Sequence, residues 1–276
     1  MQGVSCRRRE TGECEARPSR ATPLEARMER GSVSLRRHGE VDPNRAGDKG
    51  RYWSPALVIA GGGLCAAVAL ILFAWLAGEV REGEMRPFDL RAHTLIYQPN
   101  LLPHLTASME AVTILGSGEF LVPLALGLVL GFLISRWPHP ALLLFITLSG
   151  AGFLEWLLKI YFKIPRPTTF HVIALPTSYG FPSGHALASF SFYGVLASIA
   201  VRRLLNQIAR ALTWIIASLL IVSIGISRIY LGVHNASDVL AGYAAALVWT
   251  TAVMIADRLW PRTPSSKKIE KRTLTL

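Results

Sequence analysis

Apolar residues come in six long runs, at roughly 55–78, 110–134, 140–162, 184–201, 209–228 and 237–257. A helix needs about 20 mostly apolar residues to cross the hydrocarbon core of a bilayer. Most of the runs reach that length; the fourth is slightly short, and the second carries Glu119. Backbone polar groups in lipid must be satisfied within the segment, so each run is predicted to be helical. The expected fold class is therefore all-α, a six-span transmembrane bundle. Between the first two runs, 79–109 alternates apolar and polar positions (Phe88, Leu90, Leu95, Leu101, Leu102, Leu105). That pattern fits a helix lying in the membrane interface, with an irregular connector as the alternative.

Composition agrees with a membrane protein. Hydrophobic residues make up 51% of the 276 and charged residues only 17%. The charges are segregated: 1–52 holds 12 Lys+Arg and 8 Asp+Glu by count along the sequence, while 55–78 holds none. Residues 1–52 lack apolar periodicity and are expected to form a disordered tail before a membrane domain at 53–260 and a basic C-tail at 261–276. The first apolar run begins too late and is too long for a signal peptide, and Met28 offers an alternative start. A net charge of +11 raises nucleic acid as a partner. However, the basic residues sit in tails and short loops beside apolar runs, which suits anionic head groups and excludes that reading. The basic residues Arg136, Arg202, Arg203, Arg210 and those of the C-tail then lie inside. Both termini are expected in the cytoplasm, with loops 163–183 and 229–236 on the outer face of the inner (plasma) membrane. Cys6, Cys14 and Cys65 have no metal spacing.

Ionisable residues at the mouth of a membrane bundle are costly and read first as functional. Here they gather where three runs meet that outer face. Lys159 ends the third run, and Pro165 and Pro167 present Arg166 from extended chain. Ser183 is a candidate N-cap for the fourth run, Gly184 allows close approach to the backbone, and His185 follows at the rim. Arg228 closes the fifth run, His234 follows a turn containing Gly232, and Asp238 comes four residues later, one helical turn on. Two histidines, a carboxylate and three cations around a helix N-terminus suit metal-free phosphoryl transfer. One imidazole attacks phosphorus, the other protonates the leaving oxygen, and cations stabilise the equatorial charge.

The strings Lys159-x6-Arg166-Pro167, Pro182-Ser183-Gly184-His185 and Ser227-Arg228-x5-His234-x3-Asp238 resemble the three signatures of the type 2 phosphatidic acid phosphatase superfamily. That superfamily includes bacterial membrane lipid phosphatases, and the resemblance spans roughly 110–257. It implies His234 as nucleophile, Asp238 as its orienting partner and His185 as general acid and then base. Lys159, Arg166, Ser183, Gly184 and Arg228 would bind phosphate. It implies no metal and no cofactor. The expected partner is a lipid phosphate or diphosphate in the bilayer: an isoprenoid diphosphate such as an undecaprenyl carrier first, then phosphatidylglycerol phosphate, phosphatidic acid or lipid A phosphates. A lipid phosphotransferase and a non-catalytic lipid-phosphate transporter are the alternatives.

Several residues fall outside these signatures. Glu155 precedes Lys159 by one turn and is placed to pair with it. Lys163 is expected to snorkel to head groups. Glu119 is expected to find a hydrogen bond inside the bundle, with a place lining the substrate entrance as the alternative, and Gly127-x3-Gly131 to mark close helix packing. His38, His93, His104, His139 and His171 fit no constellation.

Overall fold

A computed structural model describes residues 55–97, 104–167 and 172–260. The expectations for 1–52, 261–276, His38 and His171 lie outside these residues. The described residues form eight helices: α1 Pro55–Glu82, α2 Arg86–Ile96, α3 Leu105–Ile114, α4 Gly118–Ile134, α5 Pro138–Phe162, α6 Gly184–Val201, α7 Gln207–Tyr230 and α8 Ala236–Leu259. Among them there is no strand. The chain is all-α and crosses the membrane several times. Helices α1, α5, α6, α7 and α8 are each long and apolar enough to span, and the bent pair α3–α4 supplies a sixth crossing if it counts as one.

That pair departs from the single helix expected at 110–134. The two helices meet at 43°. The break is local chemistry: the Ser117 side chain accepts the Phe120 N–H at 3.2 Å and starts α4 afresh. Gly116 presses on α7, where a Cβ would overlap Ile224 Cγ2. Glu119 consequently sits exposed in the first turn of α4, where the helix dipole favours an acid, and not in mid-span. The alternation in 79–109 yields α2, entered through a glycine turn at Gly83 with φ 83°.

Helix α6 packs against α5, α7 and α8, and α1 packs on α8. Half of α6 is buried against 11% of the α1 span, so α6 is central and α1 peripheral. The outward Leu64, Leu70, Ile71 and Trp75 of α1 suit a lipid-facing surface. Close helix approaches fall at Gly150 beneath Trp249 and Gly225 beneath the Tyr243 hydroxyl. Among the described residues, a Cβ at Gly127 or Gly131 would meet nothing within 4 Å, so no described helix packs closely against them. At one end of the bundle His139, Arg202 and Asp257 tie α5, α6 and α8 together by ion pairs. The signature residues gather at the other end.

Candidate active site

The site is built where α5 and α7 end and α6 and α8 begin. Helix α7 stops at Tyr230, and the chain reverses over Leu231–Asn235. Gly232 takes φ 70°, which a residue with a side chain adopts only with strain. Two successive amides, Val233 and His234, then point back at the Arg228 carbonyl, at 3.3 and 3.4 Å. This tight wrap sets His234 beside the last turn of α7. Helix α8 opens with a capping box, in which Asn235 and Asp238 exchange side-chain and backbone hydrogen bonds. The Asn235 N–H reaches Asp238 Oδ2 at 2.8 Å.

His234 is 2% exposed. Its Nδ1 faces Asp238 Oδ2 at 3.6 Å, and its Nε2 meets an Arg166 terminal nitrogen at 3.0 Å. A guanidinium only donates, so Nε2 accepts and the ring proton resides on Nδ1, towards the carboxylate. Burial, reinforced by the charges of Arg166 and Arg228, holds the imidazole well below its usual pKa. The ring is thus neutral at physiological pH.

Arg166 is held on every edge of its fork. Its Nε donates to the Ser178 carbonyl at 2.9 Å and one terminal nitrogen to Ser178 Oγ at 2.9 Å. The other donates to the Val233 carbonyl at 2.8 Å as well as to His234. Arg228 is 4% exposed and donates to Thr113 Oγ1 at 2.8 Å. Its Nε is buried with no hydrogen-bond partner among the described residues, as are Ser183 Oγ, His234 Nδ1 and Asp238 Oδ1. Orphaned polar atoms concentrated in one place mark a site built for a polar ligand.

Ser183 and Gly184 start α6, and the Ser183 N–H donates to the Asp238 carbonyl at 3.0 Å. The Ser183 side chain makes no capping bond, so it stays available. Glu155 pairs with Lys159 at 2.6 Å and lies hard against Gly184, where a Cβ would overlap its carboxylate. What crowds the glycine here is Glu155, where the sequence suggested a ligand. His185 is half-buried on the same turn, with Cδ2 at 3.4 Å from a Cβ built on Gly116. The structure therefore brings all eight signature side chains and backbones to one end of the bundle. Among the described residues no three of His, Cys, Asp and Glu form a group that could hold a metal ion.

Three further participants join them. Asp89 of α2 is buried and accepts the Ser237 N–H and Oγ, each at 2.8 Å, at the first turn of α8. Burial raises its carboxyl pKa, and the Ser237 bonds partly offset that. Thr113 and Ser178 brace the two arginines. None carries a sequence signal, because each acts through contacts between distant segments. Asp89, Arg166 and His234 also line a cavity of about 830 Å³ bounded by α1, α2 and the chain after α5.

Known proteins share this architecture. Residues 140–260 match the profile of the PAP2 superfamily. Phosphatidylglycerophosphatase B of Bacillus subtilis (strain 168) is 32% identical over 183 residues, which cover 64% of this chain and 87% of that protein. The crystal structure of the first transmembrane PAP2-type phosphatidylglycerolphosphate phosphatase, also from Bacillus subtilis, aligns with a TM-score of 0.65 at 28% identity. That alignment covers 72% of this chain and 98% of the other. By sequence and by fold together, the chain belongs to the PAP2 superfamily.

Proposed function

We propose that this chain is a membrane phosphatase that removes a terminal phosphate from a lipid phosphate or diphosphate through a phosphohistidine at His234. The observation that carries the reading is the geometry of His234, with Nδ1 3.6 Å from Asp238 Oδ2 and Nε2 3.0 Å from Arg166, which suits a neutral ring with its proton on Nδ1. Substrate phosphate takes over the Arg166 donors, and Lys159, Arg228, Ser183 and the Gly184 amide hold its remaining oxygens. The freed Nε2 attacks phosphorus as the phosphorus–oxygen bond to the lipid breaks, and His185 protonates the departing oxygen. Water then attacks phosphorus while His185 takes its proton; the new phosphorus–oxygen bond forms as the bond to Nε2 breaks, releasing inorganic phosphate and restoring His234. Asp238 stabilises the imidazolium character that develops, as the third member of a triad does.

Phosphatidylglycerol phosphate is the first substrate to try, supported by what the Bacillus relative is named for; isoprenoid diphosphates and phosphatidic acid follow. Both termini lie in the cytoplasm and the site opens on the extracytoplasmic face, a reading supported by the basic flanks of the spans. Purified protein in detergent should release phosphate from such a lipid and, quenched during turnover, carry acid-labile, base-stable label on His234. Unlabelled protein that still turns over would defeat the mechanism. A cysteine at Thr177 should react with an impermeant reagent on intact cells, and reaction only after lysis would reverse the topology.

A further inference from the structure

The cavity beside His234 holds cations that the site has not used. Arg81, Arg86 and Lys163 line it together with Arg166 and His234. These three come from separate pieces of chain: the last turn of α1, the first residue of α2 and the residue that ends α5. Lys163 ends α5 in the left-handed conformation, φ 51°, with its N–H on the Lys159 carbonyl at 3.0 Å. The chain thus leaves the helix at the cavity. Among the described residues none of the three cations has an ion-pair partner. By contrast, the nearby Lys159 is matched by Glu155 and the far-end Arg202 by Asp257. Two acids share the lining: Glu82, and Asp89, which is engaged by Ser237. Cations still outnumber acids there, with Arg81, Arg86, Lys163 and Arg166 against those two. At about 830 Å³ the cavity also exceeds what one phosphate fills. Lys163, expected from sequence to snorkel, faces this space.

Resting on the phosphatase reading above, we propose that Arg81, Arg86 and Lys163 form a second anion subsite, so that the preferred substrate is a lipid carrying two phosphate groups. The outer phosphate is cut at His234, and the inner one is held by the three cations in the same cavity. The inner group has two sources, the second phosphate of a diphosphate or the diester phosphate of a phosphorylated glycerol head group. Charged hydrogen bonds to either are strong and directional.

The test measures phosphate release by the full chain in detergent on two matched pairs. One pair is an isoprenyl diphosphate and its monophosphate; the other is phosphatidylglycerol phosphate and phosphatidic acid with the same acyl chains. The wild-type protein should prefer the two-phosphate member of at least one pair, and that pair identifies the source. In K163Q, R86Q and the triple variant with R81Q, the ratio of kcat/KM within that pair should fall by about tenfold or more in the triple, chiefly through KM. R203Q, whose guanidinium lies over Trp137 away from the site, should keep the wild-type ratio. A ratio unchanged in the triple variant overturns the subsite, because cations that only meet bilayer head groups would affect both members alike. Preference for the one-phosphate member in both pairs also overturns it. A wild-type protein that releases phosphate from none of the four lipids would instead sink the phosphatase reading beneath it.

Discussion

Asp238 Oδ2 lies 3.6 Å from His234 Nδ1 and simultaneously accepts the Asn235 N–H at 2.8 Å. One carboxylate oxygen therefore starts α8 and faces the imidazole. A separation of 3.6 Å is longer than a hydrogen bond, and Nδ1 and Asp238 Oδ1 are both buried without a hydrogen-bond partner among the described residues. The capping box fixes the carboxylate beside the ring.

The two duties of Asp238 can be separated. In Asp238→Asn the amide oxygen still accepts from Asn235, so α8 should start normally and the melting temperature should hold. The charge opposite Nδ1 is gone, and kcat should fall by roughly 10²–10⁴-fold, as for other triad carboxylates. Asp238→Ala loses the cap as well and should cost about 1 kcal/mol more in stability. Equal kcat in Asp238→Asn and wild type would remove Asp238 from the mechanism.

Arg166 makes a different demand, since its fork engages Ser178 twice, Val233 and His234. Lysine has one nitrogen and cannot reproduce that planar set. Arg166→Lys should lower kcat/KM by on the order of 10²-fold with the charge retained. Ser178→Ala removes one acceptor for the guanidinium but leaves the Ser178 carbonyl, and should raise KM by a few-fold, near the roughly 1 kcal/mol of a single hydrogen bond. A steady-state comparison of the two variants checks the order.

These residues differ in how far the sequence announces them. Five of the six apolar runs form helices within a few residues of their expected bounds, because a span's length and uniform hydropathy are local properties. The bend between α3 and α4 is only half legible: the Ser117 cap on Phe120 is a local signal, but Gly116 acquires meaning only against Ile224 on α7. Within the site, Arg166, His185 and His234 are legible because costly groups at helix ends stand out by position. Asp89 is not, because its partner Ser237 is 148 residues away and an acid in a polar loop is unremarkable until that contact exists. Lys163 escapes for the same reason: snorkelling and cavity lining differ only in what lies opposite.

The depressed pKa of His234 fixes the sign of its pH effects. In the folded chain the ring stays neutral well below its usual value of 6.5. The acid limb of kcat/KM, corrected for substrate ionisation, should therefore lie below pH 6.5. Unfolding exposes the ring, which then binds a proton as pH falls through 6.5. Its contribution to stability is accordingly full above that pH and declines below it. An acid limb at or above 6.5 that vanished with a substituted His234 would contradict the assignment.

Asp89 positions α8 from a separate helix. Asp89→Ala leaves the Ser237 N–H and hydroxyl unpaired in a buried place, a loss of about 1–3 kcal/mol. Because those groups adjoin Asn235 and Asp238, kcat should fall along with the melting temperature. Asp89→Asn keeps an acceptor for the amide and should restore most of both. A variant that melts earlier yet keeps full kcat would limit Asp89 to a structural tie.

Gly184 supplies the sharpest steric test. A Cβ there would overlap both Glu155 Oε1 and its carboxyl carbon, so Gly184→Ala must push that side chain away. Glu155 is the flexible partner of Lys159, bonded at 2.6 Å, and its displacement drags or releases the lysine. The expected result is a rise in KM of about tenfold, the size of one charged hydrogen bond lost. The effect should depend on Glu155: in an E155A background, where the clashing carboxylate is gone, adding Gly184→Ala should cost much less. Residues in contact commonly couple by about 0.5–3 kcal/mol in such a cycle. If Gly184→Ala costs the same with and without the carboxylate, the glycine is needed for the close approach of substrate to the α6 backbone, and the packing of Glu155 against it is incidental.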